Sequence, residues 1–102
     1  MTKQHESAVR IRNRLGLHAR PAAEFVKLAS RFRAEVRVEK DELEVNGKSI
    51  MGVMMLAAEA GASIRIRAMG SDAANAVDSL TELVLSGFSE ELAPEADTDG
   101  PT

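Results

Sequence analysis

Cysteine, tryptophan and tyrosine are absent from this 102-residue chain, and three phenylalanines supply its only benzene rings. Without thiols there is no disulfide framework and no thiolate-held metal, which agrees with a reducing compartment. A basic stripe interleaved with aromatic rings, the usual footprint of a nucleic-acid binder, is equally out of reach. Long apolar runs are missing too: the longest, Ile50 to Ala58, has nine residues and contains Gly52, against the roughly 20 needed to cross a bilayer. Met1 to Ser7 lacks the apolar centre of a secretory signal, so a cytoplasmic protein without membrane insertion is expected. What is present is 44% hydrophobic and 28% charged residues in 11.0 kDa, a soluble profile with enough apolar surface for one small core and one domain.

Charge is unevenly spread. The chain carries 13 Lys and Arg against 16 Asp and Glu, a net −3. Five of the acids, Glu90, Glu91, Glu95, Asp97 and Asp99, follow Phe88 with no basic residue among them, which leaves the body at +2. A nearly neutral body again speaks against nucleic acid as a partner. With Pro94, Gly100 and Pro101 in the same stretch, residues 89–102 read as a disordered, solubilising acidic tail behind a domain spanning residues 1–88.

Within that domain, apolar and polar residues alternate at period two in four places: Val9 and Ile11; Ala34, Val36 and Val38; Leu43 and Val45; Ile64, Ile66 and Ala68. Each place reads as a half-buried strand. Helical spacing lies between them. Ala22, Phe25, Val26, Ala29 and Phe32 follow Pro21; Ala73, Ala76, Val77, Leu80, Leu83 and Val84 follow Ser71-Asp72, either of which can cap, and Gly87 supplies a stop. A middle helix is expected from about Ser49 to Glu59. The order βαββαβα predicts an α+β, two-layer open-faced sandwich, with a four-stranded, mainly antiparallel sheet and three helices on one face. Asp41-Glu42 is the turn expected between strands two and three.

The middle helix holds more apolar surface than one face can bury. At 100° per residue, Val53, Leu56, Ala57 and Ala60 share the arc that faces the sheet, whereas Met51, Met54 and Met55 point elsewhere and Ile50 lies at the border. Either these side chains fill core gaps, or they form an exposed, deformable patch suited to docking partners.

Of the two histidines, His5 sits in the polar start and reads as a solvated bystander. His18 lies in Gly16-Leu17-His18-Ala19-Arg20-Pro21-Ala22, between the first strand and a helix that begins at Ala19 or Pro21. The positive end of that helix disfavours an imidazolium and leaves a ring nitrogen with a lone pair for attack on an electrophile. A phosphoryl group bound there would meet backbone N–H donors and a favourable potential, with Arg20 adding a forked, charged contact. Gly16 permits either close approach by another protein's backbone or a simple strand-end turn. A structural or merely exposed His18 is the alternative.

Leu15 to Ala22 and Lys48-Ser49-Ile50-Met51-Gly52-Val53-Met54 resemble the active-site and regulatory-site segments of the HPr family, the histidine-containing phosphocarriers of the phosphoenolpyruvate-dependent phosphotransferase system. The resemblance runs from roughly Ala8 to Phe88. It implies a relay, not a turnover enzyme, in which His18 takes a phosphoryl group on Nδ1 from Enzyme I and passes it to an Enzyme IIA-type acceptor. It further implies that Arg20 steadies the phosphohistidine, that Leu17, Ile50, Met51 and Met54 form the docking surface, and that Ser49 is a regulatory site for an HPr kinase/phosphorylase. Ser49 also fits as the cap of the middle helix. No cofactor and no metal are expected in this chain, and a monomer is expected.

Asn13-Arg14-Leu15 and the Ser86-Gly87-Phe88 ending are similar to the nitrogen-related branch of the family, while Lys48 to Met54 is similar to the sugar-system branch. A regulatory module whose phosphorylation state gates target proteins is therefore the main rival to a sugar-transport relay. A small-ligand-binding domain of ferredoxin-like type shares the βαββαβ order and requires strand one inside the sheet.

Overall fold

A computed structural model describes residues 3–94 of the chain. The strands are β1 (Gln4–Arg10), β2 (Glu35–Lys40), β3 (Leu43–Asn46) and β4 (Ser63–Met69), and the helices are α1 (Ala19–Ala29), α2 (Ile50–Met55) and α3 (Ala73–Leu85), followed by a short 3-10 turn at Gly87–Ser89. All strand pairs are antiparallel, in the order β1-β4-β2-β3. β1 lies at an edge, which removes the ligand-binding alternative that needed it inside.

Register aligns the alternating apolar residues of neighbouring strands. Val9 stands opposite Ile64, Ile66 opposite Val38, and Ala68 opposite Val36, all buried on the helix-covered side. The intervening residues form the open side, where Arg65 pairs with Glu6, Arg67 with Glu44 and Arg37 with Glu35. From the helices, Phe25, Ala29, Val53, Ala76, Leu80 and Val84 close the core. β1 begins earlier than its apolar alternation, because polar Gln4 to Ser7 pair with β4 through backbone bonds, which do not depend on the side chains. The β2–β3 turn does fall at Asp41-Glu42, both with positive φ (51° and 75°), as a two-residue hairpin of primed type requires.

The middle helix is shorter than its apolar content suggested. α2 ends at Met55, because Ala57 adopts a left-handed φ of 49°. Ala57 is consequently exposed and Ala60 only half-buried, while Ala58 turns inward in their place. The expected tail boundary also moves. Arg14 N–H donates to the Glu91 carbonyl and Ala93 N–H to the Arg12 carbonyl, each at 2.8 Å, with Asn13 and Leu92 in a bridge between them. The stretch from Gly87 to Ala93 thus belongs to the folded body rather than to a disordered end. The remaining expected tail residues, including Glu95, Asp97 and Asp99, lie outside the described residues.

Candidate functional site

α1 begins at Ala19, with His18 as its extended N-cap residue (φ −76°, ψ −172°). The His18 carbonyl accepts the Ala22 N–H at 3.0 Å, which closes the first helical turn. Pro21 is accommodated in that turn because the first N–H groups of a helix have no partner within it. The His18 side chain makes no capping bond and is left to reach outward, 38% exposed.

The loop before His18 is fixed from beneath. Leu17 N–H donates to the Ala58 carbonyl at 2.8 Å, and a Cβ on Gly16, whose φ is +71°, would sit 2.5 Å from that same oxygen. Gly16 therefore serves close approach by this chain's own backbone, not by a partner's. Leu17 is buried at 4% exposure. Its expected place on a docking surface is accordingly corrected: the bond to Ala58 turns its side chain into the core, where it supports the loop.

Around the imidazole stands a set of polar groups that composition did not reveal. Nε2 of His18 lies 3.1 and 3.0 Å from the two carboxylate oxygens of Glu90. Arg20 Nε donates to Glu90 at 2.9 Å, Nη1 to Glu24 at 2.7 Å and Nη2 to the Phe88 carbonyl at 2.6 Å. From below, fully buried Asn13 donates through Nδ2 to the Gly16 carbonyl at 2.7 Å and to Glu90 at 2.9 Å. Burial alone would raise the Glu90 pKa; hydrogen bonds from Asn13, His18 and Arg20 outweigh it and bring the carboxyl down to about 2. Glu90 hydrogen bonding in turn raises Arg20 above its usual value.

The other expected residues lie along α2. Ser49 is its N-cap, the Oγ accepting the Gly52 N–H at 3.0 Å. Ile50, Met51, Met54 and Met55 are all exposed, Met51 most of all at 73%, so the thioethers do not fill core gaps. α1 packs on α2. Leu17, just before α1, bonds to Ala58, just after α2, while Lys48, just before α2, donates through Nζ to the Phe32 carbonyl beyond the end of α1. The two helices therefore run in opposite directions, with Met54 and Met55 toward the His18 end and Ser49 toward the other.

Comparison with known proteins gives this arrangement a family. The model for the PTS HPr component phosphorylation site matches residues 5–86. The chain belongs to the HPr family. It is 47% identical over 85 residues to phosphocarrier protein HPr of Neisseria meningitidis, covering 83% of this chain and 96% of that one. Among solved structures, HPr-C-His from Thermoanaerobacter tengcongensis superposes with a TM-score of 0.83 at 46% identity, covering 86% of this chain and 99% of that one. HPr from Bacillus anthracis str. Ames does so with 0.77 at 46% identity, over 79% and 96%.

Glu90 lies beyond the matched segment of the HPr model and was missed because it is one acid among many in a stretch that reads as solubilising. Asn13 left a signal: it continues the inward period of Val9 and Ile11, and a polar side chain at an inward position needs partners.

Proposed function

We propose that this HPr-family phosphocarrier relays phosphoryl groups through His18, with Arg20 steadying the charge of the bound group. Members of the family relay phosphoryl groups between Enzyme I and Enzyme IIA and do not themselves turn over substrate; the specific donor here is read as phospho-Enzyme I, charged by phosphoenolpyruvate, and the acceptor as an Enzyme IIA-type protein. The observation that carries this reading is a half-exposed imidazole at the N-cap of α1, with its Nε2 occupied and its Nδ1 in no hydrogen bond among the described residues.

In the transfer, a ring-nitrogen lone pair forms a bond to phosphorus while the bond from phosphorus to the donor breaks, its electron pair leaving with the donor. Positioning and charge stabilisation do most of the work in such a step. The first N–H groups of α1, those of Ala19 and Arg20, and the positive helix end favour the arriving anion. Arg20 has its donors on Glu90, Glu24 and Phe88 before transfer, so steadying the phosphoryl group means exchanging some of these partners. The relay asks no metal of this chain, and a cytoplasmic setting goes with the donor.

Ile50, Met51 and Met54, joined by Met55, are read as the docking surface; four exposed apolar side chains on six residues of helix favour it. Ser49 is read as the regulatory phosphorylation site. Because it opens α2 at the end away from His18, about two added negative charges there would act on docking rather than on the chemistry of the ring.

Labelling with phosphoenolpyruvate and purified Enzyme I tests the reading. Wild type takes up one acid-labile phosphoryl group, His18→Ala stays folded and takes up none, and Ser49→Asp is labelled more slowly than wild type. Label retained by His18→Ala overturns the assignment.

A further inference from the structure

Glu90 reaches the site from a backbone that is held in an unfavourable shape. Gly87, Phe88 and Ser89 have φ of 71°, 57° and 61°, left-handed in succession, and only the first is glycine. Such a run persists where its surroundings over-determine it. Phe88 is fully buried, and beyond Ser89 the chain is pinned to Arg12 and Arg14 by backbone bonds. Between these two anchors the Glu90 carboxylate is aimed at His18 and Arg20, itself only 16% exposed.

An ionised carboxylate can only accept hydrogen bonds, and a neutral imidazole donates from one nitrogen and keeps a lone pair on the other. Both Glu90 oxygens face Nε2. The hydrogen therefore belongs on Nε2, and the lone pair on Nδ1. We propose that Glu90 is a positioning residue of the relay: by taking the Nε2–H of His18 it makes Nδ1 the single nucleophilic nitrogen and stands opposite the positive charge that the ring gains as phosphorus binds. This rests on the reading of His18 as the carrier. Through the step the Nε2 proton stays in place; the Nδ1 lone pair becomes the N–P bond, and in the onward transfer that bond breaks with its pair returning to Nδ1.

Nitrogen-15 NMR of the full chain labelled at histidine, together with labelling rates from Enzyme I and phosphoenolpyruvate, tests the proposal. Wild-type His18 is expected to carry its hydrogen on Nε2. In Glu90→Gln, whose amide can donate as well as accept, a mixture of tautomers is expected, and phosphorylation slows by about tenfold or more, the scale on which removing the carboxylate that orients a metal-bound histidine acts. Glu90→Asp is expected to fall between the two. A wild-type ring with its hydrogen on Nδ1 overturns the proposal without recourse to any variant. So does a Glu90→Gln protein with unchanged tautomer, whatever its rate, or with altered tautomer and an unchanged rate. If instead His18→Ala still takes up label, it is the carrier reading that fails; an inert His18→Ala beside a normal Glu90→Gln rejects Glu90 alone.

Discussion

Replacing Asn13 by leucine, similar in size and without polar atoms, isolates what the buried amide contributes to the site. Two hydrogen bonds disappear, one to the Gly16 carbonyl at 2.7 Å and one to the Glu90 carboxylate at 2.9 Å. A neutral bond is worth about 1 kcal/mol and one to a charged group about 1.5–3 kcal/mol. Two effects reduce the sum: among the described residues Asn13 Oδ1 is buried without a hydrogen-bond partner, so its removal is favourable, and Glu90 keeps its contacts with His18 and Arg20. A net loss of roughly 1–3 kcal/mol is expected, which lowers the melting temperature of a domain this size by roughly 5–20 °C. Thermal and urea unfolding read it directly, and the rate of labelling by Enzyme I should fall alongside, because the Gly16 anchor fixes the loop leading into His18. Asn13→Asp removes the same donors and adds a carboxylate beside Glu90, so at neutral pH it should be less stable than Asn13→Leu, with the gap narrowing in acid as one of the pair takes a proton. A leucine variant within about 0.5 kcal/mol of wild type, the range of ordinary surface changes, would refute the reasoning.

Gly16→Ala should destabilise by about 1–3 kcal/mol, from left-handed strain and a Cβ lying 2.5 Å from the Ala58 oxygen, and should disturb labelling as well; a neutral melting curve contradicts this. Asp41→Asn combined with Glu42→Gly places residues suited to positive φ in the β2–β3 turn and should raise stability by about 1 kcal/mol in urea unfolding, leaving phosphoryl transfer unchanged. Acid titration of stability should show the Glu90 contribution. Its folded pKa of about 2 lies below the ordinary 4.5, so the native state binds fewer protons there; the stabilisation is complete above about 4.5 and is lost as pH falls toward 2. Asp72, lowered by the backbone N–H of Arg33, adds in the same direction. Glu90→Gln should flatten the profile in this window, and an unchanged slope would show that the carboxylate is not held as described.

Much of the fold was legible because its signals are local. Val36 and Val38, or Ile64 and Ile66, alternate without interruption, and Pro21 and Gly87 punctuate α1 and α3 where the structure has their ends. Signals failed where tertiary contact overrode pattern. Apolar content carried the middle helix past Met55, but Ala57 breaks it so that Ala58 can hold Leu17. Leu17 is apolar beside His18, and only the backbone bond to Ala58 decides that it faces inward. His18 and Arg20 could be singled out from their place at a helix start. Glu90 could not, since its contact with them spans about 70 residues of chain, and nothing in Ser89-Glu90-Glu91 distinguishes a carboxylate aimed by a strained turn from one that merely solubilises.

The most direct measurement locates the phosphoryl group itself: label the chain with phosphoenolpyruvate and Enzyme I, map it by mass spectrometry under alkaline conditions, and identify the bonded nitrogen by phosphorus–nitrogen coupling. One phosphoryl group on Nδ1 of His18, with His5 unmodified, is the expected result. A group on His5 or any other residue would contradict the relay, and a group on Nε2 of His18 would contradict the part assigned to Glu90.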